Sequence, residues 1–268
     1  MSLALYRRAL DWARRARPAW VVEVARVRGS APREAGARML VAADEIAGTI
    51  GGGRLEWLAI EAARARLAGA ELPDREDFAL GPRLGQCCGG AVQLAYAPLE
   101  AALANWPEPE PLWHLQLHGA GHVGVALARL LAPLDVAVDW IDERPEAFPA
   151  EPWPTHWRLL ATEDAVAEVA AAPTGARYLA LTHSHELDLR LSEAILARGD
   201  FGFFGLIGSA SKRARFATRL AQRGLSAETI ARMTCPIGIA GIPGKSPEVI
   251  AVSVCAQLLS LGESGAGA

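Results

Sequence analysis

A strand that runs into Gly119-Ala120-Gly121-His122-Val123-Gly124 and out again as a helix leaves a chain few ways to fold. The pattern is G-x-G-x-x-G. The first glycine permits a tight turn, the second lets backbone approach a phosphate, and the third lets helix and sheet pack closely. Here the apolar run Trp113–His118 precedes it and the helical stripe Val123–Leu131 follows. A second strand, Val136–Ile141, then leads to Asp142, 23 residues after Gly119, where a ribose-binding carboxylate would sit. Free N–H groups and the helix dipole favour an anion at such a turn by roughly 0.3–1 kcal/mol per charge. A glycine turn that only lets helix and sheet pack is the competing reading.

The strand–helix alternation continues. A weaker strand covers Trp157–Leu160 and a clear one Tyr178–Thr182, followed by a helix over Leu187–Ala197. Phe201–Ile207 is a strand and Ser211–Gln222 a helix. The last helix, Pro247–Leu259, has Ser246 as N-cap and Pro247 at the tolerated first position. This alternation predicts an α/β fold with a Rossmann-like, doubly wound parallel sheet over residues 112–262. Residues 1–106 have another texture and predict a smaller α+β domain. A helix over 2–17 is followed by strands at Trp20–Val27 and Ala37–Ala42, with a turn at Gly29–Pro32. A helix from Arg54 carries Leu55, Leu58, Ala59, Ala62 and Ala63 on one stripe, and another strand covers Ala91–Ala97. Between the halves, residues 98–111 carry Pro107, Pro109 and Pro111 alternating with glutamates, and read as a linker.

Bulk properties remove several function classes. The net charge is −3 with arginines scattered along the chain, so no basic footprint for nucleic acid or membrane surface exists. No apolar run approaches the roughly 18 residues needed to span a bilayer, and the arginine-rich start lacks the features of a signal peptide. Four cysteines, two of them adjacent, do not make a disulfide scaffold. A soluble, cytoplasmic protein is expected.

Several segments can carry chemistry. Thr182-His183-Ser184-His185, with Asp188 after it, falls where a parallel strand ends, the ligand edge of such a sheet. Two histidines and a carboxylate there can bind metal, move protons, or merely cap a helix. Gly205-Leu206-Ile207-Gly208-Ser209 opens a helix bearing Lys212, Arg213 and Arg215, a second candidate anion site or a solvated helix start. Gly51, Gly52 and Gly53 open another helix and form a candidate anion nest, or a tight turn. Gln86-Cys87-Cys88 lies between glycines, where exposed thiols can carry sulfur or ligate a soft metal. Gly244-Lys245-Ser246 is not a P-loop, because the first glycine would have to stand at Ile239. Cys235 reads as part of a buried turn, with a reactive thiol as the competing reading, and Cys255 as core on the apolar face of the last helix.

Together these motifs resemble the XdhC/CoxI family. In the first half the resemblance rests on Ser30-Ala31-Pro32-Arg33, on Gly48 through Glu56, and on Leu84 through Gly90. In the second it rests on Gly119–Gly124, Thr182–His185 with Asp188, Gly205–Ser209 with Lys212–Arg215, and Cys235 through Pro247. The resemblance implies an accessory protein without turnover of its own. Such a protein would bind the molybdenum cofactor through its molybdopterin phosphate and shelter it. It would promote exchange of an oxo for a sulfido ligand with a cysteine desulfurase, then deliver the cofactor to the molybdenum subunit of xanthine dehydrogenase. The implied contacts are Gly51, Gly52, Gly53, Gln86, Cys87, Cys88, Gly119, Gly121, His122, Gly124, Asp142, His183, His185, Ser209 and Lys212. Cys87 and Cys88 would meet molybdenum or its sulfur, and a homodimer is the expected assembly. Two alternatives stand beside this. Gly119–Gly124 with Asp142 suits an NAD(P)-dependent oxidoreductase, with His183 or Lys212 as acid or base. A nucleotide-sensing module would bind a ligand and transfer nothing.

Overall fold

The computed structural model describes residues 2–80 and 89–262. It falls into two compact units, Met1–Glu110 and Pro111–Ala268.

The first unit begins with α1 (Leu3–Arg14), β1 (Ala19–Arg28), β2 (Arg38–Ala42) and β3 (Ile46–Gly48). It continues with α2 (Gly53–Leu67), β4 (Arg75–Ala79), β5 (Ala91–Pro98) and α3 (Leu99–Ala104). The sheet is antiparallel throughout, in the order β3-β2-β1-β5-β4. Strand alternation feeds two cores. Val22 and Val24 join Leu55, Ala59 and Ala63 of α2 on one face, while Val21 and Leu40 meet Leu5, Ala9 and Trp12 of α1 on the other. The helix predicted over 2–17 stops at Arg14, because Ala16 takes a left-handed φ of 49° before Pro18.

The stretch read as a linker is only partly one. Leu99-Glu100-Ala101-Ala102-Leu103-Ala104 contains no proline and good helix formers, and it folds as α3. Leu99 and Trp106 are buried in the α1 core, with Trp106 edge-on to Tyr6 and under the Arg38 guanidinium. Regular structure is missing only from Asn105, two residues before Pro107, onward.

The second unit contains β6 (His114–His118), α4 (His122–Leu131), β7 (Ala137–Asp142), β8 (Arg158–Ala161), α5 (Glu168–Ala171) and β9 (Arg177–Ala180). Then come α6 (His185–Arg198), β10 (Phe203–Leu206), α7 (Ala210–Gln222), α8 (Ala227–Ala231), β11 (Met233–Thr234) and α9 (Pro247–Ser260). All strands are parallel, in the order β11-β10-β9-β6-β7-β8. Alternate residues of the strands serve opposite layers. Tyr178, Ala180, Phe204 and Leu206 pack with Leu189, Ile195, Phe216 and Leu220 of α6 and α7. Leu115, Leu117, Leu179 and Trp140 pack with Leu127, Leu131, Val254 and Leu258 of α4 and α9. The chain order reverses between β6 and β9, so the carboxyl ends of these two strands flank the crevice where such sheets bind ligands. No helix among the described residues is long and apolar enough to cross a membrane.

Candidate functional site

The Gly119–Gly124 turn is held by contacts that dictate its glycines. Gly119 has a φ of 116°, and a Cβ there would lie 2.5 Å from the Leu181 carbonyl oxygen at the end of β9. A Cβ on Gly124 would lie 2.1 Å from the Gly119 carbonyl oxygen, which also accepts the Trp140 indole N–H at 3.1 Å. Gly121 differs: it is the N-cap of α4, no side chain caps it, and nothing lies within 4 Å of the place its Cβ would take. His122, the first residue of α4, is exposed beside it. Backbone donors at this helix start therefore face open space.

Asp142, at the end of β7, turns back on the same loop. Its Oδ2 accepts the Ala120 N–H at 2.7 Å and Arg144 Nη2 at 3.1 Å, and its Oδ1 accepts the Arg144 N–H and Nε at 3.0 and 2.9 Å. Burial alone would raise its pKa, but the Arg144 guanidinium and the two backbone donors hold it below the usual carboxylate range. All four contacts come from the chain itself, so a ribose diol has to displace Arg144 to reach this carboxylate.

The trio His183, His185 and Asp188 does not assemble. Asp188 is fully buried and points inward, accepting the Thr182 N–H and hydroxyl on Oδ1 and Lys212 Nζ on Oδ2 at 2.6 Å. Lys212 Nζ also donates to the Ile207 carbonyl at 2.9 Å. Its stem crosses Gly208 so closely that a Cβ there would sit 2.5 Å from Lys212 Cδ. His183 instead faces Glu143 (3.3 Å), and His185 Nδ1 faces the Arg215 guanidinium (3.4 Å). Among the described residues no group of three or more His, Cys, Asp or Glu side chains is placed to hold a metal. Ser209 caps α7 by accepting the Lys212 N–H, as Ser184 caps α6 by accepting that of Leu187.

Two cavities flank the crevice. One, of about 430 Å³, opens where β9 and β10 end and is lined by His183, His185, Ser209, Ser211, Lys212 and Arg215 among others. The other, beside Gly119 and Asp142, measures about 10 Å³ and holds one water at most.

His118 lines that small cavity and has no counterpart among the predicted residues. It is wholly buried at the end of β6. Gln116 donates its amide to the Glu168 carbonyl, so its Oε1 accepts from His118 Nε2 at 3.3 Å, leaving Nδ1 unpaired among the described residues. Burial lowers the imidazole pKa to about 3 against the raising pull of Asp139. The native protein thus holds His118 neutral, while the unfolded chain protonates it below about 6.5. Stability is expected to fall as pH drops from 6.5 toward 3, by about 2 kcal/mol between 6.5 and 4.5 from this group. Urea midpoints at those pH values, compared with His118→Gln, check it. An unchanged pH slope in the variant refutes it.

In the first unit, the candidate nest at Gly51, Gly52 and Gly53 already holds an anion. Glu56 Oε2 accepts the Ile50 and Gly52 N–H groups, each at 3.0 Å, and the Thr49 hydroxyl. A carboxylate of α2 thus stands where a phosphate was expected, and the glycines serve a turn with positive φ at all three positions. The neighbouring motif segments meet here. A Cβ on Gly51 would strike Pro32, and one on Gly90 would lie 2.3 Å from the Ser30 carbonyl oxygen. Gln86, Cys87 and Cys88 lie outside the described residues. Cys235 and Cys255 are buried, and burial pushes both thiols up, in Cys235 against the opposing charges of Lys212 and Arg213.

Arg144, Glu143 and His118 were not among the predicted site residues, and Glu56 stood only as the end of the Gly48–Glu56 motif, with no role assigned. His118 left a trace as a polar residue two positions from Gln116 on the same face of a buried strand.

Strand order, glycine turn and the carboxylate at the end of β7 define a Rossmann-type fold in the second unit. Residues 115–258 match the XdhC Rossmann domain, and residues 12–76 match the XdhC and CoxI family. The first match spans more than half the chain, and the chain belongs to the XdhC family. It is 30% identical over 259 residues to an uncharacterized protein, YqeB, of Escherichia coli K12, covering 93% of this chain but 44% of that one. The chain therefore spans under half the length of that relative. The crystal structure of a protein described as a xanthine dehydrogenase from Bacillus halodurans superposes with a TM-score of 0.70 at 19% identity. That match covers 97% of this chain and 96% of the other.

Proposed function

We propose that this protein serves in the maturation of xanthine dehydrogenase. In this reading it takes up the molybdenum cofactor as cargo, supports its sulfuration with a cysteine desulfurase, and hands it to the molybdenum subunit in the cytoplasm. The observation that carries the reading is the helix start at Gly121. Its backbone donors are uncapped, no side chain obstructs them, and they open on the switch point of a parallel sheet, which suits a phosphate. Membership in the XdhC family and the likeness to a Bacillus halodurans protein described as a xanthine dehydrogenase support the choice of recipient. Cys87 and Cys88 are the soft ligands proposed for molybdenum or its sulfur.

The oxidoreductase reading draws on one specific feature, the complete glycine–aspartate pattern. The occupied Asp142 weighs against it, since the Arg144 side chain takes the contacts a nicotinamide dinucleotide's ribose would use.

The deciding experiment loads the purified protein anaerobically with molybdenum cofactor or NAD(H), re-isolates it, and assays molybdenum, pterin fluorescence and nicotinamide. Stoichiometric pterin that activates apo-xanthine dehydrogenase is expected. Cys87→Ser with Cys88→Ser is expected to retain the fold while losing most of the bound cofactor or its sulfuration. Nicotinamide bound without pterin overturns the reading. So does a double variant that loads and activates like the parent.

A further inference from the structure

The 430 Å³ cavity at the ends of β9 and β10 is lined by no residue of the α4 helix start, and the charged side chains in its lining are all basic. None of the residues around it is acidic. Arg215 and His185 stand on its wall, both exposed, and Ser211 presents a hydroxyl from the first turn of α7. The nearby carboxylates are committed elsewhere: Asp188 to Thr182 and Lys212, Glu143 to His183, Glu186 to Arg219 and Arg223. Lys212 forms part of the floor with its ammonium held by Asp188 and the Ile207 carbonyl, so its charge is already countered and recognition falls to the exposed groups. Two helices of 14 and 13 residues, α6 and α7, begin at the cavity, with His185 and Ser211 in their first turns. Their dipoles add to the same sign.

We propose that this cavity is a second anion seat, which takes the phosphate group of a small phosphorylated molecule, with Arg215 and His185 as its recognition side chains. The arrangement matches what phosphate recognition requires. A guanidinium offers paired donors, a hydroxyl and an imidazole complete the shell, and helix starts supply the field. The volume exceeds that of a bare phosphate and falls within the range of small-molecule sites, so an organic portion accompanies the phosphate. The seat does not depend on the molybdenum cofactor being the cargo of the α4 site.

The test uses inorganic phosphate as probe, titrated calorimetrically into the full chain without molybdenum or partner proteins. Gly121→Val closes the α4 start without disturbing the fold, so phosphate binding that survives in it reports the cavity. In that background Arg215→Ala is expected to weaken binding about tenfold, as loss of one charged hydrogen-bonding group does. Arg219→Ala removes the same charge one turn further along α7, outside the cavity, and is expected to change affinity less than about twofold. Three results overturn the seat: no binding in Gly121→Val, equal losses in the two arginine variants, or no loss in Arg215→Ala. Because no cofactor enters the assay, a failed cofactor transfer with intact phosphate binding would sink the maturation reading alone.

Discussion

Gly124→Ala is expected to destabilise the second unit by about 2–4 kcal/mol, whereas Gly121→Val costs no more than about 1 kcal/mol as an N-cap replacement and abolishes cargo binding. The two glycines stand three residues apart in one motif, yet their surroundings are opposite. A methyl on Gly124 would lie 2.1 Å from the Gly119 carbonyl oxygen and 3.1 Å from its carbonyl carbon. Both are backbone atoms of the tight turn, and the oxygen is fixed by Trp140, itself buried among Leu127, Leu131 and Trp157. Relief therefore means moving α4 away from β6, which opens the layer shared with α9. At Gly121 the φ is −75°, a value any residue adopts, and the Cβ position is open. A valine there occupies only the space through which a phosphate would approach the helix start. Thermal denaturation and cofactor loading of both variants separate these roles. A folded Gly121→Val protein that loads cargo normally moves the site away from α4. A Gly124→Ala protein as stable as the parent removes the packing account.

The second unit was legible because its local signals agree with its global arrangement. The central strands β6, β7, β9 and β10 are short, mostly apolar runs buried on both faces, the longer helices carry apolar stripes, and Gly119 and Gly124 fall at the β6–α4 junction where only glycine fits. The first unit yielded less. β4, Arg75-Glu76-Asp77-Phe78-Ala79, is mostly charged and forms because β5 pairs with it at the sheet edge. β3 has three residues and owes its existence to β2. Proline spacing suggested a linker where Leu99 and Trp106 in fact anchor α3 and the segment after it. The candidate sites show the same division. Glycines that permit a close approach can be recognised in one dimension, but the approaching group cannot. At Gly119–Gly124 it is Asp142, already mated to Arg144 two residues on, and at Gly51–Gly53 it is Glu56. Asp188 was read beside two histidines from its spacing, yet the register of α6 turns it inward while His183 and His185 stay at the rim.

That inward turn makes Lys212→Met the other large expected effect. The single substitution leaves Asp188 in a fully buried position with only the Thr182 N–H and hydroxyl for partners. Removing one member of a buried pair costs about 3–5 kcal/mol, because the charge left behind has lost both water and counter-ion. Replacing both members, as Asp188→Leu with Lys212→Met, removes the stranded charge and is expected to recover most of that loss. A deficit of about 1 kcal/mol should persist, since the half-buried Thr182 N–H then lacks its acceptor. Urea midpoints at pH 7 for the two singles and the double give the coupling directly. A coupling near zero would mean that the pair contributes nothing to the fold. Lys212 would then be free to act on a bound molecule, as an acid or as a ligand to an anion, the role its spacing after Gly205–Ser209 first suggested. A large coupling assigns it to the floor of the cavity, where it holds β10 against α6 and leaves recognition to Arg215 and His185.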